Sequence, residues 1–373
     1  MEEKIIPLEK RIEAFVTLGH YLEMAANGEV QDCKKELLSP LKNLIESKRI
    51  AFEHNPWFIT ENINHSLKTW AEALTETGIR KWLEPYLIDL LPVKLPLTIA
   101  VVMAGNIPLV GFHDFLSVLI SGNRLLGKLS SDDAYLLPAV ADLLIAIEPM
   151  FESLISFTTE KLTSFDGVIA TGSNNTSRYF EFYFSRYPHI IRRNRNGIAV
   201  LTGNESPAEF QGLSHDIFRY FGLGCRNVSM ICVPRGYNFT PLVEACRQQY
   251  SQLNMYHKYM NNYTYQRAIL MLNNIPFIDG GFFLITENSS IISPVSVIHY
   301  FTYDPIESLH KQLESEDDNI QCIISSQTNF NRNVPFGKSQ QPELWDYSDG
   351  IDTLKFLTGI ENRNSQNEQQ TVK

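Results

Sequence analysis

The chain has 373 residues, 44% of them apolar and 11% aromatic, and a formal net charge of −10 at pH 7. That length suffices for two domains with a sizeable core, and the acidic balance argues against a general nucleic-acid binder, which shows a basic excess. The five cysteines, Cys33, Cys225, Cys232, Cys246 and Cys322, are scattered and form no C-x-x-C pair, so neither a disulfide framework nor a structural metal site is expected and the thiols read as reduced. The N-terminus, MEEKIIPLEKRIEAF, lacks the apolar core of a signal peptide. No run reaches the roughly 18–20 apolar residues that a membrane span needs, and a cytoplasmic location without a membrane span is the expectation.

In chain order, residues 1–90 read as mostly helical, with amphipathic spacing over Leu8–Met24 and Lys35–Phe52, a break at Pro56-Trp57-Phe58, and a further helix over Ile63–Leu74. This region carries no recognisable chemistry and reads as a helical cap. From Leu95 the texture changes. Leu97–Ala104 is an apolar run of strand length, broken by Gly105-Asn106-Ile107-Pro108. Leu109–Ile120 has helical spacing and stops at Gly122; Arg124–Leu129 reads as a strand, Asp132–Ile147 as a helix and Ser164–Ala170 as a third strand. The alternation continues through Gly197–Leu201 (strand), Pro207–Tyr220 (helix), Val228–Val233 (strand) and Phe239–Gln249 (helix), with mixed elements over residues 250–325. Strands alternating with helices of this length predict a parallel, doubly wound α/β sheet. The polar stretch Asn362–Lys373 reads as a frayed tail.

Five local constellations carry possible chemistry. Cys225 lies in Gly222-Leu223-Gly224-Cys225-Arg226-Asn227, a glycine-bracketed turn between a helix and a strand. The glycines leave room for a substrate, the neighbouring Arg226 favours the thiolate by charge, and a thiolate forms thioesters or thiohemiacetals. Taken alone, such a cysteine is more often a small core residue on a turn. Asn106 follows the first apolar strand, where open parallel sheets bind ligands, and its amide suits a developing oxyanion, although turn asparagines are common. Lys128, at the end of the next strand, suits ribose hydroxyls or a phosphate, against the plainer reading of a solvated lysine. Thr171-Gly172-Ser173 follows the third strand, and backbone N–H groups at a helix start favour an anion such as a dinucleotide phosphate, though the G-x-G-x-x-G fingerprint is missing. Val334-Pro335-Phe336-Gly337-Lys338 is by itself an ordinary turn.

Taken in order, from about Leu97 to Thr358, these segments resemble the aldehyde dehydrogenase superfamily. Asn106-Ile107-Pro108 looks like the family's Asn-x-Pro of the oxyanion hole. Gly122-Asn123 with Lys128-Leu129-Ser130-Ser131 looks like its G-N and K-P-S-E segments, which hold the adenosine ribose. Ala170-Thr171-Gly172-Ser173 is similar to F-T-G-S, Gly222-Leu223-Gly224-Cys225 to the G-Q-x-C of the nucleophile, and Pro335-Phe336-Gly337-Lys338 to P-F-G-G. Glu287 with Ser293-Pro294-Val295 loosely matches E-x-F-G-P-V. The blocks Arg195–Glu205 and Asp216–Ser229 resemble a subgroup, the bacterial acyl-CoA reductases of the LuxC type, which make long-chain fatty aldehydes.

The resemblance implies an aldehyde dehydrogenase-like fold. A Rossmann-type cofactor domain would cover residues 1–200, including the N-terminal helices, with a returning segment from about 326 to 373. A second α/β catalytic domain over residues 201–325 would carry Cys225. It implies NADPH-dependent reduction of an acyl-CoA, or another acyl thioester, to an aldehyde through an S-acyl-cysteine. Cys225 would be the nucleophile and Asn106 the oxyanion donor. Lys128, Ser130, Ser131, Thr171, Gly172, Ser173 and, more weakly, Glu287 would hold the cofactor. It also implies a homo-oligomer working with an acyl-activating or acyl-transferring protein. Two departures matter. The family's E-L-G-G segment, whose glutamate activates water, corresponds to Arg192-Arg193-Asn194-Arg195-Asn196-Gly197, without a carboxylate, which favours thioester chemistry over hydrolysis to an acid. The acidic position of K-P-S-E corresponds to Ser131, which favours NADPH over NADH because a carboxylate there would repel the 2′-phosphate, although Asp132 follows directly. The rival readings are a cysteine acyltransferase or thioesterase without hydride transfer, a hydrolytic aldehyde dehydrogenase, and a non-catalytic binding or assembly subunit that keeps the fold.

Overall fold

A computed structural model describes residues 5–91, 95–327 and 329–360. The polar tail Asn362–Lys373 lies outside the described residues. The chain divides into two compact units, Met1–Arg193 with Glu343–Lys373, and Asn194–Pro342.

The first unit opens with helices α1 (Leu8–Asn27), α2 (Leu38–His54), α3 (Thr60–Ala73), α4 (Glu76–Leu83) and α5 (Leu87–Leu90). Helix α1 buries Leu8, Ile12, Phe15, Leu18 and Leu22, the stripe its spacing predicts. It stops at Gly28, whose φ of 75° only glycine adopts readily, while the Gly28 N–H donates to Ala25 O and the Glu29 N–H to Met24 O. Strands β1 (Thr98–Val102), β2 (Arg124–Lys128), β3 (Ile155–Thr158), β4 (Gly167–Thr171) and β5 (His189–Arg192) follow, with helices α6 (Phe112–Ile120), α7 (Leu136–Ile147) and α8 (Asn174–Phe184) between them. The sheet order is β3-β2-β1-β4-β5, every pair parallel. Strand order reverses between β1 and β4, the place where open α/β sheets bind ligands. Strands β3 and β5 were not legible in the sequence, because each is four residues long and β3 alternates weakly.

The second unit holds β6 (Asn196–Val200), α9 (Pro207–Phe218), β7 (Val228–Pro234), α10 (Thr240–Tyr250), α11 (His257–Leu272), β8 (Phe277–Asp279), β9 (Leu284–Glu287), β10 (Val297–Tyr303), α12 (Ile306–Ser315), β11 (Ile320–Ile324) and β12 (Asn333–Val334). Its sheet runs β12-β11-β6-β7-β10-β9-β8, parallel except for β8. Strands β6, β11 and β12 belong to this sheet. The crossings between units therefore fall at 193/194 and 342/343 rather than near 200 and 326. Residues 353–360 return to the first unit as a helix, whose Leu354, Leu357 and Ile360 join its core. Among the described residues no helix is long and apolar enough to cross a membrane.

Local backbone shortens several predicted elements. The helix expected from Leu109 begins at Phe112, because Leu109 takes φ 57°. The one expected from Asp132 starts at Leu136, after a separate 3-10 turn at Ser131–Asp133. The one expected to reach Tyr220 ends at Phe218, because Tyr220 and Phe221 take φ of 55° and 58°.

One buried ion pair ties the first unit together. Arg192, at the end of β5, donates through Nη1 to Asp114 Oδ2 of α6 at 2.5 Å and through Nη2 to Thr353 Oγ1 at 2.9 Å, with both charged side chains under a tenth exposed. Removing one member leaves the other charge buried, so Arg192→Leu is expected to cost about 3–5 kcal/mol. Arg193→Leu, which breaks the exposed pair with Glu181, should change the urea midpoint by well under 1 kcal/mol equivalent. Equal effects of the two substitutions in urea titrations would contradict this assignment.

Candidate active site

In the first unit, the sequence-derived candidates gather at one end of one sheet. Val102, Lys128 and Ala170 are level in neighbouring strands, so Asn106, Lys128 and Thr171 leave β1, β2 and β4 on the same carboxyl edge. Asn106 is exposed at the tip of the loop after β1. That loop passes so close to the one after β2 that a Cβ on Gly105 would stand 2.5 Å from Ser130 Oγ, so the close approach itself requires glycine. Ser130 Oγ accepts the Asp132 N–H at 3.2 Å, which shapes the turn carrying Ser131 and leaves Ser131 and Asp132 exposed. Gly172 and Ser173 lead into α8, and Ser173 Oγ accepts the Thr176 N–H at 3.3 Å as the N-cap. Helix α8 thus starts beside the switch point with its positive end toward the ligand edge. This edge therefore brings together a strand-end lysine, the start of a helix, and a glycine where two loops meet.

In the second unit, Cys225 sits in the turn between α9 and β7, half-buried. Three successive residues before it are left-handed: Tyr220, Phe221 and Gly222, the last at φ 76°. Such a conformation is costly for aromatic residues and persists only where surroundings over-determine it. Here Phe221 is buried against Tyr256 and Tyr259, with ring centroids at 5.2 and 5.8 Å. Asn227, 1% exposed, supplies the polar half of the clamp. Its Nδ2 donates to the carbonyls of Asp216, Ile217 and Arg219, satisfying orphan groups at the end of α9, while its Oδ1 accepts the Gly224 N–H at 2.8 Å. Cys225 is therefore held between two residues fixed by one side chain.

The fifth sequence constellation is brought to the same place. Asp216 of α9 accepts the N–H groups of Gly337 at 2.6 Å and Ser339 at 3.0 Å. Arg226 Nε donates to Ser339 O at 2.6 Å, which gives that guanidinium a structural task beside the cysteine. Gly212 lets the Phe336-Gly337 backbone lie on α9, since a Cβ there would stand 2.9 Å from Gly337 N. Burial raises the Asp216 carboxyl above the usual carboxylate range. The other thiols of this unit are fully buried, and burial pushes Cys232 and Cys246 up to about 12 and Cys322 up to about 11. They are inert core groups. The clamp residues Asp216 and Asn227 were in plain view in the sequence but had no assigned role, because neither spacing nor composition reveals which carbonyls a side chain reaches.

Two further candidates separate. Ser293-Pro294-Val295 lines a crevice of about 30 Å³ with Phe221 and Gly222, beside the Cys225 turn. Glu287 does not share that place. It is exposed at the C-terminal end of β9, level with Ile231, whereas Cys225 precedes the start of β7. Two strand spacings and a three-residue rise, about 10 Å each, take it away from the cysteine end, and the structure gives Glu287 no part in this turn. The segment where the resemblance puts a water-activating glutamate, Arg192–Gly197, carries no carboxylate, and the guanidinium of its Arg192 is taken by Asp114 and Thr353.

No protein-family profile matches the chain, and no curated protein sequence matches it. Solved structures do. Aldehyde dehydrogenase 21 from Physcomitrella patens, in complex with succinate, aligns over 95% of this chain and 87% of its own at 12% identity, with a TM-score of 0.61. The P. syringae indole-3-acetaldehyde dehydrogenase AldA, in complex with NAD+ and IAA, aligns over 88% and 74% at 11% identity, TM-score 0.57. An E. coli NADP-dependent enzyme aligns over 86% and 78% at 12% identity, TM-score 0.58. The chain has the aldehyde dehydrogenase-like fold, with a helical N-terminal region.

The clamp generates a direct test. Asn227→Ala leaves several buried backbone groups without a partner and is expected to destabilise the protein by about 2–3 kcal/mol while raising the reactivity of Cys225 toward a small alkylating reagent. Unchanged stability and unchanged alkylation would remove Asn227 from this role.

Proposed function

We propose that the protein is an oxidoreductase that reduces an acyl thioester, such as an acyl-CoA, to an aldehyde with NADPH, through an S-acyl intermediate on Cys225. The observation that carries this reading is the cysteine turn itself. Of the cysteines in the second unit, Cys225 alone is not buried, and the turn that carries it opens with a strained left-handed stretch, Tyr220 to Gly222, that Asn227 and an aromatic cluster hold in place. Strain of this kind, preserved by its surroundings, is characteristic of functional sites. The aldehyde dehydrogenase-like fold supports the oxidoreductase class, and NAD+ stands in the complex of AldA.

In this reading the Cys225 thiolate attacks the thioester carbonyl, forming a C–S bond and a tetrahedral oxyanion. The Asn106 amide and the Cys225 N–H donate to that oxygen. The intermediate collapses, the C–S bond to the leaving thiolate breaks, and the acyl group remains on Cys225. When bound, a nicotinamide cofactor would supply the hydride that reduces the acyl group. The resulting thiohemiacetal loses aldehyde and regenerates the thiolate. Lys128, Ser130 and Ser131 would hold the adenosine end of that cofactor, and Gly172 and Ser173 its pyrophosphate. The segment Arg192–Gly197 offers no carboxylate to activate water, which suits a thioester that must survive until hydride arrives.

Two measurements test this. NADPH oxidation by the purified protein is followed with acyl-CoA thioesters from short to long chain. Cys225→Ala is expected to abolish oxidation and acylation while leaving NADPH binding intact, and Asn106→Ala to lower the rate by about 10²–10³. Turnover by Cys225→Ala would reject the scheme, and acylation of Cys225 without any hydride transfer would indicate a transferase or thioesterase. The exposed Ser131 predicts a higher kcat/KM for NADPH than for NADH, with Ser131→Glu reversing the order. A clear NADH preference in the parent protein would overturn that assignment.

A further inference from the structure

The loop from Gly105 to Gly111 joins β1 to α6 and carries Asn106 at its tip. It is held at three points. Gly105 lies against Ser130, the Pro108 carbonyl accepts Ser66 Oγ of α3 at 2.9 Å, and the Leu109 N–H donates to Asp133 Oδ2 at 2.9 Å. Leu109 takes φ 57°, in the left-handed region that a branched residue resists, and its side chain is buried. A backbone in that state needs outside partners to persist. Asp133 provides one from a buried place: the residue is 7% exposed, and its other oxygen, Oδ1, is buried with no hydrogen-bond partner among the described residues. Burial lifts its carboxyl to about 7. A carboxyl with one oxygen unmatched is a poor core residue on stability grounds, so its placement needs another reason.

The reason lies in the turn that bears it. Ser130–Asp133 is the turn that follows Lys128, the assigned cofactor end of β2, and its two ends bracket the Asn106 loop. Ser130 and Asp132 meet Gly105, and Asp133 meets Leu109. We propose that Asp133 is a positioning residue that sets the Asn106 loop from the cofactor turn, so that the Asn106 amide is presented in one place. The proposal rests on the reading of Asn106 as the oxyanion donor. A displacement of about 1 Å at such a group costs about 10² in rate.

The test uses the full chain with Asp133→Leu, which keeps the bulk and removes the acceptor, and Asp133→Asn, which keeps both. Asp133→Ala replaces the leucine variant if that one does not fold. Hydrogen exchange over residues 105–111, the rate of Cys225 acylation by an acyl-CoA, and KM for NADPH are measured. Asp133→Leu is expected to speed exchange in the loop and to lower kcat about 10²-fold with KM for NADPH unchanged, and Asp133→Asn to restore both. Parental exchange and acylation in the leucine or alanine variant would overturn the proposal, as would loss of turnover in a folded Asp133→Asn protein. Asn106→Ala runs in parallel. If it acylates at the parental rate, the reading of Asn106 fails, and the exchange data still decide whether Asp133 holds the loop.

Discussion

The second unit depends on a chain reversal that a helix cannot make by itself. At the end of α9 the backbone must leave the helix, turn through Cys225 and enter β7 within ten residues, Arg219 to Val228. Tyr220, Phe221 and Gly222 make that reversal in the left-handed region. Only the last is a residue that goes there without cost. Asn227 closes the turn by taking three carbonyls with its amide nitrogen and one N–H with its oxygen. Removing those bonds would leave the helix end unsatisfied in the interior.

Both units place polar side chains inside for the same purpose, to fix the loops on which the candidate residues lie or which pack beside them. Asp216 pins the Gly337–Ser339 segment, Asp133 pins Leu109, and Arg192 with Asp114 joins β5 to the helix that follows the Asn106 loop. None of these groups is a good choice for stability alone, since buried charges gain little over apolar packing of the same shape. Each instead sets where a loop lies. The hydrophobic clusters do the opposite work: the main core of the first unit gathers helices α1 to α7 and the 353–360 helix around the sheet and tolerates exchange of similar side chains.

The same logic separates the candidate residues. Asn106, Lys128 and Thr171 were proposed from strand ends, and parallel register alone makes such positions neighbours, so the sheet brought them to one edge. Glu287 was proposed from a loose motif match that spans a loop. Because β9 and β10 are parallel, the loop between them runs back along the whole strand length, which leaves Ser293–Val295 at the cysteine end and Glu287 at the other. A motif that crosses such a connection cannot be read as one site from spacing.

The strong apolar runs and their helical partners were sufficient, as sequence, to specify a parallel α/β chain with a helical N-terminal region, since period and run length are local properties. The glycine-bracketed Cys225 and the strand-end Asn106 and Lys128 were visible for the same reason. Short strands β3 and β5, the left-handed residues Leu109, Tyr220 and Phe221, and the partners of Asp133, Asp216, Arg192 and Asn227 were not. Their conformations and contacts join residues from 3 to 161 positions apart and exist only once the sheets are assembled, because the competing local preference, helix continuation or an unstrained backbone, is overruled by burial and hydrogen bonding at a distance.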